Sequence, residues 1–146
     1  MATSTPRIRR VFLDSSVFFA ATYSAKGAAR DLLLATIEGR FALVLSDYVI
    51  DETERNVLKR ASHVYSDFLR LRDNLLYLVS QPSDALIVDT ARIVVEKDAP
   101  IIAGARAVNA TLVATYDRKH LLSKRQEIFA TFGVTVATPE EILASL

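Results

Sequence analysis

Short runs of consecutive apolar residues recur along the chain, each closed by a polar or turn-forming residue. They are RVFLD at 10–14, FALVLS at 41–46, LLYLVS at 75–80, TLVATYD at 111–117 and VTVAT at 134–138. Runs of about five residues without hydrophobic–polar alternation suit strands buried on both faces, as in a parallel sheet covered by helices. Between them the period lengthens. KGAARDLLLATIEGR (26–40) carries apolar residues at 28, 29, 32, 33 and 37 and ends near Gly39, which predicts a helix. SDYVIDETERNVLKRAS (46–62) places Val49, Ile50, Thr53, Val57 and Leu58 on one face, with Ser46 or Asp47 to cap it. SDFLRLRDNL (66–75) continues helical, and SDALIVDTARIVVEKD (83–98) is helical in part. DAPIIAGARAVNA (98–110) predicts a helix with Asp98 at its cap and Pro100 in its first turn. A short basic helix is expected over 118–126, and PEEILASL (139–146) closes the chain with Pro and two Glu in a first helical turn.

Strands alternating with helices predict right-handed βαβ crossovers. The expected fold is α/β: three layers, α/β/α, around a central, mostly parallel five-stranded sheet. No internal repeat, low-complexity tract or Gly/Ser linker divides the chain, so one domain over 1–146 is expected. Asp14 interrupts this pattern, because RRVFLDSSVFFAA reads as buried strand on both sides of it. A carboxylate there is costly unless something compensates its charge.

Composition narrows the function. The chain has no cysteine, which excludes disulfides and Cys-ligated zinc and fits a reducing compartment. The N-terminus MATSTPRIRR shows no signal-peptide core, and no apolar run approaches the about 18 residues of a membrane span. A soluble cytoplasmic protein without a membrane partner is therefore expected. Net charge is only +1, so no global basic field announces a purely electrostatic nucleic-acid binder. An enzyme whose acidic centre offsets a basic rim remains compatible with it. No Gly-rich phosphate loop follows the first strand, so nothing supports a nucleotide cofactor. Ser16 stands where a haloacid-dehalogenase-like phosphatase would need its second Asp.

In open α/β sheets ligands bind outside the carboxyl ends of strands, where strand order reverses. Asp14 and Asp117 both end predicted strands, and they would face each other if strands one and four were neighbours there. Asp98 opens a helix. The helix after the second strand offers Asp51, Glu52 and Glu54, among which periodicity does not choose. Two carboxylates about 5 Å apart cost roughly 3 kcal/mol at an effective dielectric near 20. A converging set therefore calls for a divalent cation or raised pKa values. All-oxygen donors suit Mg²⁺ or Mn²⁺. Each acid also has an ordinary reading. Asp14 and Asp117 can cap turns, Asp98 can cap its helix, and a helical Glu is commonly solvated.

The pieces VFLDSSVFF, LSDYVIDETERNVLKR, EKDAPIIAGARAVNATLVATYD and DRKHL, in this order, resemble the PIN-domain family of metal-dependent nucleases. That family includes the VapC-type ribonuclease toxins of bacterial toxin–antitoxin pairs. The resemblance implies four acids, Asp14, Glu52, Asp98 and Asp117, as metal ligands and catalytic residues. It also implies a hydroxyl two positions before the last acid, which is Thr115. Many members read Asp-x-Asn at the first motif, where this chain has Ser16 as the supporting residue. The implied activity is a Mg²⁺- or Mn²⁺-dependent endoribonuclease leaving 5′-phosphate and 3′-hydroxyl ends. The implied partners are an RNA substrate, a second copy in a homodimer, and an antitoxin protein. The alternative from a different class is a catalytically inactive PIN-fold module for RNA binding or assembly. Arg106, Arg118, Lys119 and Lys124, with Arg125, are candidate phosphate contacts. Tyr116 could stack a base and His120 could contact phosphate or move a proton, while His63 has no assigned part.

Overall fold

The computed structural model describes residues 7–146. Residues 1–6, which belong to the stretch read as lacking a signal-peptide core, lie outside the described residues. Five strands, β1 (Arg9–Leu13), β2 (Phe41–Ser46), β3 (Leu78–Ser80), β4 (Leu112–Ala114) and β5 (Thr135–Ala137), form one sheet in the order β3-β2-β1-β4-β5. Every pairing is parallel. Strand β1 is central, with Phe12 opposite Val44 of β2 and Leu13 opposite Ala114 of β4. Chain order runs outward from β1 to β3 on one side and then resumes at β4 on the other. Strand order therefore reverses between β1 and β4, which makes Asp14 and the end of β4 neighbours.

Among the described residues eight α-helices cover the sheet: α1 (Ser15–Tyr23), α2 (Ala28–Ile37), α3 (Asp47–Arg60), α4 (Tyr65–Asn74), α5 (Asp84–Thr90), α6 (Ala99–Ala107), α7 (Arg125–Phe132) and α8 (Pro139–Ala144). Helix α1 packs against α2, α3 and α4, whereas α6 packs on β1 to β4 and on α5. Right-handed crossovers put these two groups on opposite faces, which completes the α/β/α layering. One buried apolar cluster joins the layers, with Phe12, Phe18, Leu45, Phe68, Ile101 and Ile102 fully enclosed.

Helix α1 is the element that the apolar pattern hides. Its buried residues, Ser15, Val17, Phe18, Ala21 and Thr22, share one face, but two of them are polar while apolar Phe19 and Ala20 lie outside that face, so no apolar stripe shows. Asp14 is the junction. It ends β1, and its carboxylate accepts the Ser15 N–H at the start of α1 (2.8 Å). On α3 the buried stripe is Val49, Thr53 and Val57, while Leu58, expected on that face, is 51% exposed. The expected basic helix at 118–126 is not formed. Residues 118–121 turn, 122–124 make a short 3-10 segment, and α7 begins only at Arg125. The strands expected over 75–80 and 111–117 shorten to 78–80 and 112–114.

Gly104 sets how closely α6 approaches the sheet. A Cβ built there would lie 2.8 Å from Cε2 and 2.9 Å from Cζ of Phe12. Its carbonyl accepts the Ser80 hydroxyl of β3 at 2.6 Å. This seat on the sheet brings the amino end of α6, and with it Asp98, to the carboxyl ends of β1 and β4.

Candidate metal and catalytic site

The carboxyl end of the sheet holds a cleft of ≈ 360 Å³ lined by Asp14, Glu52, Asp98 and Asp117. A concavity of similar size, ≈ 370 Å³, lies at the opposite end among Arg7, Arg9, Arg10 and Asn109 and contains no carboxylate.

Asp14 is held from the start of α1 and from the loop after β4. Its Oδ2 accepts the Thr115 hydroxyl at 2.7 Å and the Ser16 hydroxyl at 3.0 Å. Each hydroxyl in turn accepts a backbone N–H. Thr115 takes that of Asp117 and Ser16 takes that of Tyr116, both at 3.0 Å. Because each hydroxyl has a single proton, accepting these N–H groups orients that proton toward Asp14. The Asp14 N–H donates to the Ala114 carbonyl at 3.0 Å, so β1 and the loop after β4 are tied on both sides of the acid. Burial still pushes the Asp14 carboxyl above its ordinary range. The hydrogen bonds from Thr115, Ser16 and Ser15 pull the other way, and the Glu52 charge pushes up further.

Asp98 behaves otherwise. It precedes α6 yet makes no capping hydrogen bond with its side chain. Its Oδ2 is buried without a hydrogen-bond partner. Burial raises the Asp98 pKa; Lys97 and His120 lower it, and the Asp117 and Asp14 charges raise it. Asp117 performs both local and site roles: its Oδ1 accepts the His120 N–H at 3.0 Å while the residue lines the cleft.

The geometry also separates Asp51, Glu52 and Glu54 of α3. Glu52 lines the cleft and accepts the Ser15 hydroxyl. Glu54 accepts the Tyr65 hydroxyl at 2.7 Å and lies 4.0 Å from Arg72, and Asp51 is exposed. Ser15, Phe19, Asn56, Arg60 and Lys97 also line the cleft, and sequence reasoning assigned none of them to the site. A signal existed for two. Asn56 and Arg60 follow Glu52 at four-residue intervals, which places all three on one helix ridge.

The predicted cations lie elsewhere. Arg106 donates to Asp89 and Thr90, each at 2.9 Å, and its guanidinium sits 4.0 Å over the Phe132 ring, so it is committed to the far face of α6. Lys124 is 3.7 Å from Glu127, and Arg125 is 3.1 Å from Glu141. Arg118 and Lys119 are exposed in the turn after Asp117 and do not line the cleft. Tyr116 donates its hydroxyl to Glu140 at 2.6 Å, which ties the ring to α8.

The donor set fits a hard divalent cation: four carboxylates, no sulfur, and one buried carboxylate oxygen without a partner. Among the described residues no three Asp, Glu or His side chains already stand in ion-holding geometry. Capture of an ion therefore requires the carboxylates to close on it. Among the described residues no helix is long and apolar enough to cross a membrane.

Comparison with known proteins places the fold. The structure resembles VapC20 of Mycobacterium tuberculosis, a sarcin-ricin loop cleaving toxin, at 18% identity and a TM-score of 0.54 over 75% of this chain and 91% of that one. It resembles FitAcB of Neisseria gonorrhoeae at 19% identity and a TM-score of 0.56, over 89% and 98% of the two chains. No curated protein matched the sequence. At such identities these likenesses establish the fold. The family model of the PIN domain, however, matches residues 11–126, from the buried half of β1 to the start of α7, and the chain belongs to the PIN domain family.

Proposed function

We propose that this chain is a Mg²⁺- or Mn²⁺-dependent endoribonuclease that hydrolyses RNA phosphodiester bonds. The observation that carries the reading is the Asp98 Oδ2, buried without a partner in a residue lining the same cleft as Asp14, Glu52 and Asp117. A buried carboxylate oxygen left unpaired is costly, and a cation is the partner its chemistry selects.

Asp14, Asp98 and Asp117, with Glu52 assisting, would hold the ion. When bound, it supplies Lewis-acid activation of water and offsets the charge that develops on the phosphate. The rest belongs to the chain itself. Thr115 and Ser16 fix the Asp14 carboxylate by donating to Oδ2, and Ser15 links the turn after β1 to Glu52. Arg60 and Lys97 on the cleft supply positive charge for the phosphates flanking the scissile bond. The similarity to the toxin VapC20 supports a place in a toxin–antitoxin pair, with an antitoxin protein as partner; a homodimer is the assembly we propose.

A second reading draws on the open arrangement of the acids, no three of which stand in ion-holding geometry among the described residues. It is a PIN-fold module that binds RNA without cutting it. The deciding test is cleavage of a labelled mixed-sequence single-stranded RNA in Mn²⁺, Mg²⁺ or EDTA, with wild type beside Asp14→Asn and Asp117→Asn. Cutting that needs the metal and is lost in both variants is expected. RNA binding without any cutting would instead establish the non-catalytic module.

A further inference from the structure

The cleft does not end at the carboxylates. Phe19 lines it four residues along α1 from Ser15, and on α3 the ridge Glu52, Asn56, Arg60 follows it for about 12 Å at 1.5 Å per residue. Past this point the aromatic surface continues. Tyr23, one turn beyond Phe19, stacks on it with ring centroids 6.1 Å apart and planes inclined by 15°. His63, three residues beyond Arg60, meets the Tyr23 ring edge-on at 5.9 Å and 80°. Packing explains part of Phe19, which is half-buried against the core. It does not explain Tyr23, which is 57% exposed, or His63, which is exposed. Among the described residues Arg60 and Lys97 form no ion pair.

We propose that Phe19, Tyr23 and His63 form a base-stacking platform for the unpaired nucleotides adjoining the phosphate at the carboxylates, with Arg60 on their backbone. The location rests on the nuclease reading of the cleft; the stacking chemistry does not. Every base has a π-face, so aromatic platforms accept unpaired strands with little sequence preference. Bases in a duplex are stacked inward and cannot reach such a surface. The substrate class that follows is RNA unpaired at and beside the cut, in a loop or a free strand. Continuity with the acidic cleft and uncommitted cations beside it favour a polyanion with planar rings over an apolar protein surface.

The test measures affinity of the full chain, with divalent ions chelated, for a short fluorescent unpaired RNA and for a hairpin of the same composition. Wild type is expected to bind the unpaired strand more tightly. Tyr23→Ala should weaken that binding roughly 5- to 150-fold, the range for losing one stacked base, and Tyr23→Phe should retain it. His63→Ala should act in the same direction. In the active protein, Tyr23→Ala should raise KM for unpaired RNA with kcat nearly unchanged. The proposal is overturned if Tyr23→Ala binds like wild type, or if wild type prefers the hairpin or binds neither RNA. It also fails if Tyr23→Ala alters only the oligomeric state, which would make the stripe a protein interface. Stacking lost in Tyr23→Ala without any metal-dependent cutting would sink the nuclease reading and keep the platform. Cutting that depends on Asp14 but is indifferent to Tyr23 would do the reverse.

Discussion

Asp98 and Asp14 solve the same problem differently. Asp14 is buried but surrounded by donors, so its charge is met by Thr115, Ser16 and the Ser15 N–H. Asp98 is buried with one oxygen unmet. Both carboxyls are pushed above their ordinary range by burial. The sign of the consequence is fixed by linkage: a group whose folded pKa is raised binds more protons folded than unfolded. Its destabilising effect is absent below the unfolded value, grows as pH rises to the folded value, and persists above. Without metal, Asp98→Asn is therefore expected to raise the melting temperature at neutral pH by a few degrees. That gain should shrink as pH falls toward the ordinary carboxylate range. Thermal melts of both proteins across pH check it; a variant no more stable than wild type at neutral pH would show that Asp98 is already compensated.

At the scale of elements, the site is a consequence of how α6 lies on the sheet. Gly104 faces Phe12 without a Cβ, and any larger residue must push α6 outward or displace the ring. Gly104→Ala is expected to destabilise the fold by about 1–3 kcal/mol, the usual cost of overpacking a filled core. Since Asp98 sits at the amino end of the same helix, metal-supported activity should fall further than the loss of folded protein explains. Comparing the melting temperature with activity per folded molecule separates the two effects. Helix α3 shows the complementary principle. Val49, Thr53 and Val57 anchor it, and the neighbouring ridge Glu52, Asn56, Arg60 is thereby turned along the cleft.

For the molecule as a whole, a net charge of +1 conceals a division of charge between the two ends of the sheet. Acids gather at the carboxyl ends of β1 and β4, and arginines gather around the opposite concavity. Bringing the acids together opposes folding, and an ion that binds only the folded state opposes that cost by mass action. Mg²⁺ or Mn²⁺ is expected to raise the wild-type melting temperature in a concentration-dependent way, and Asp14→Asn should blunt the response. Equal shifts in the two proteins would assign the effect to general screening and not to this cleft.

Much of this was legible before any fold was seen. Strand positions followed from unalternating apolar runs, helices from their period, and the layered parallel α/β class from the alternation of the two. Asp14, Asp98 and Asp117 stood out because each ends a predicted strand or opens a predicted helix, and those boundaries are set mainly by local hydrogen bonding and periodicity. Helix α1 stayed hidden because polar Ser15 and Thr22 on its buried face and apolar Phe19 and Ala20 outside it erase the stripe that periodicity detects. The resemblance put the second acid at Glu52; the physical distinction from Asp51 and Glu54 came only with the tertiary structure, since the three differ in which neighbouring element they meet. The same holds for Ser15, Phe19, Arg60 and Lys97, which join the cleft, and for Arg106, which turns to Asp89 and Phe132. The physical reason is one of range. A residue's conformation is decided mainly within a turn or two of chain. Its partners across the cleft are decided by which strands become neighbours, and the adjacency of β1 and β4, about a hundred residues apart, is a property of the packed sheet.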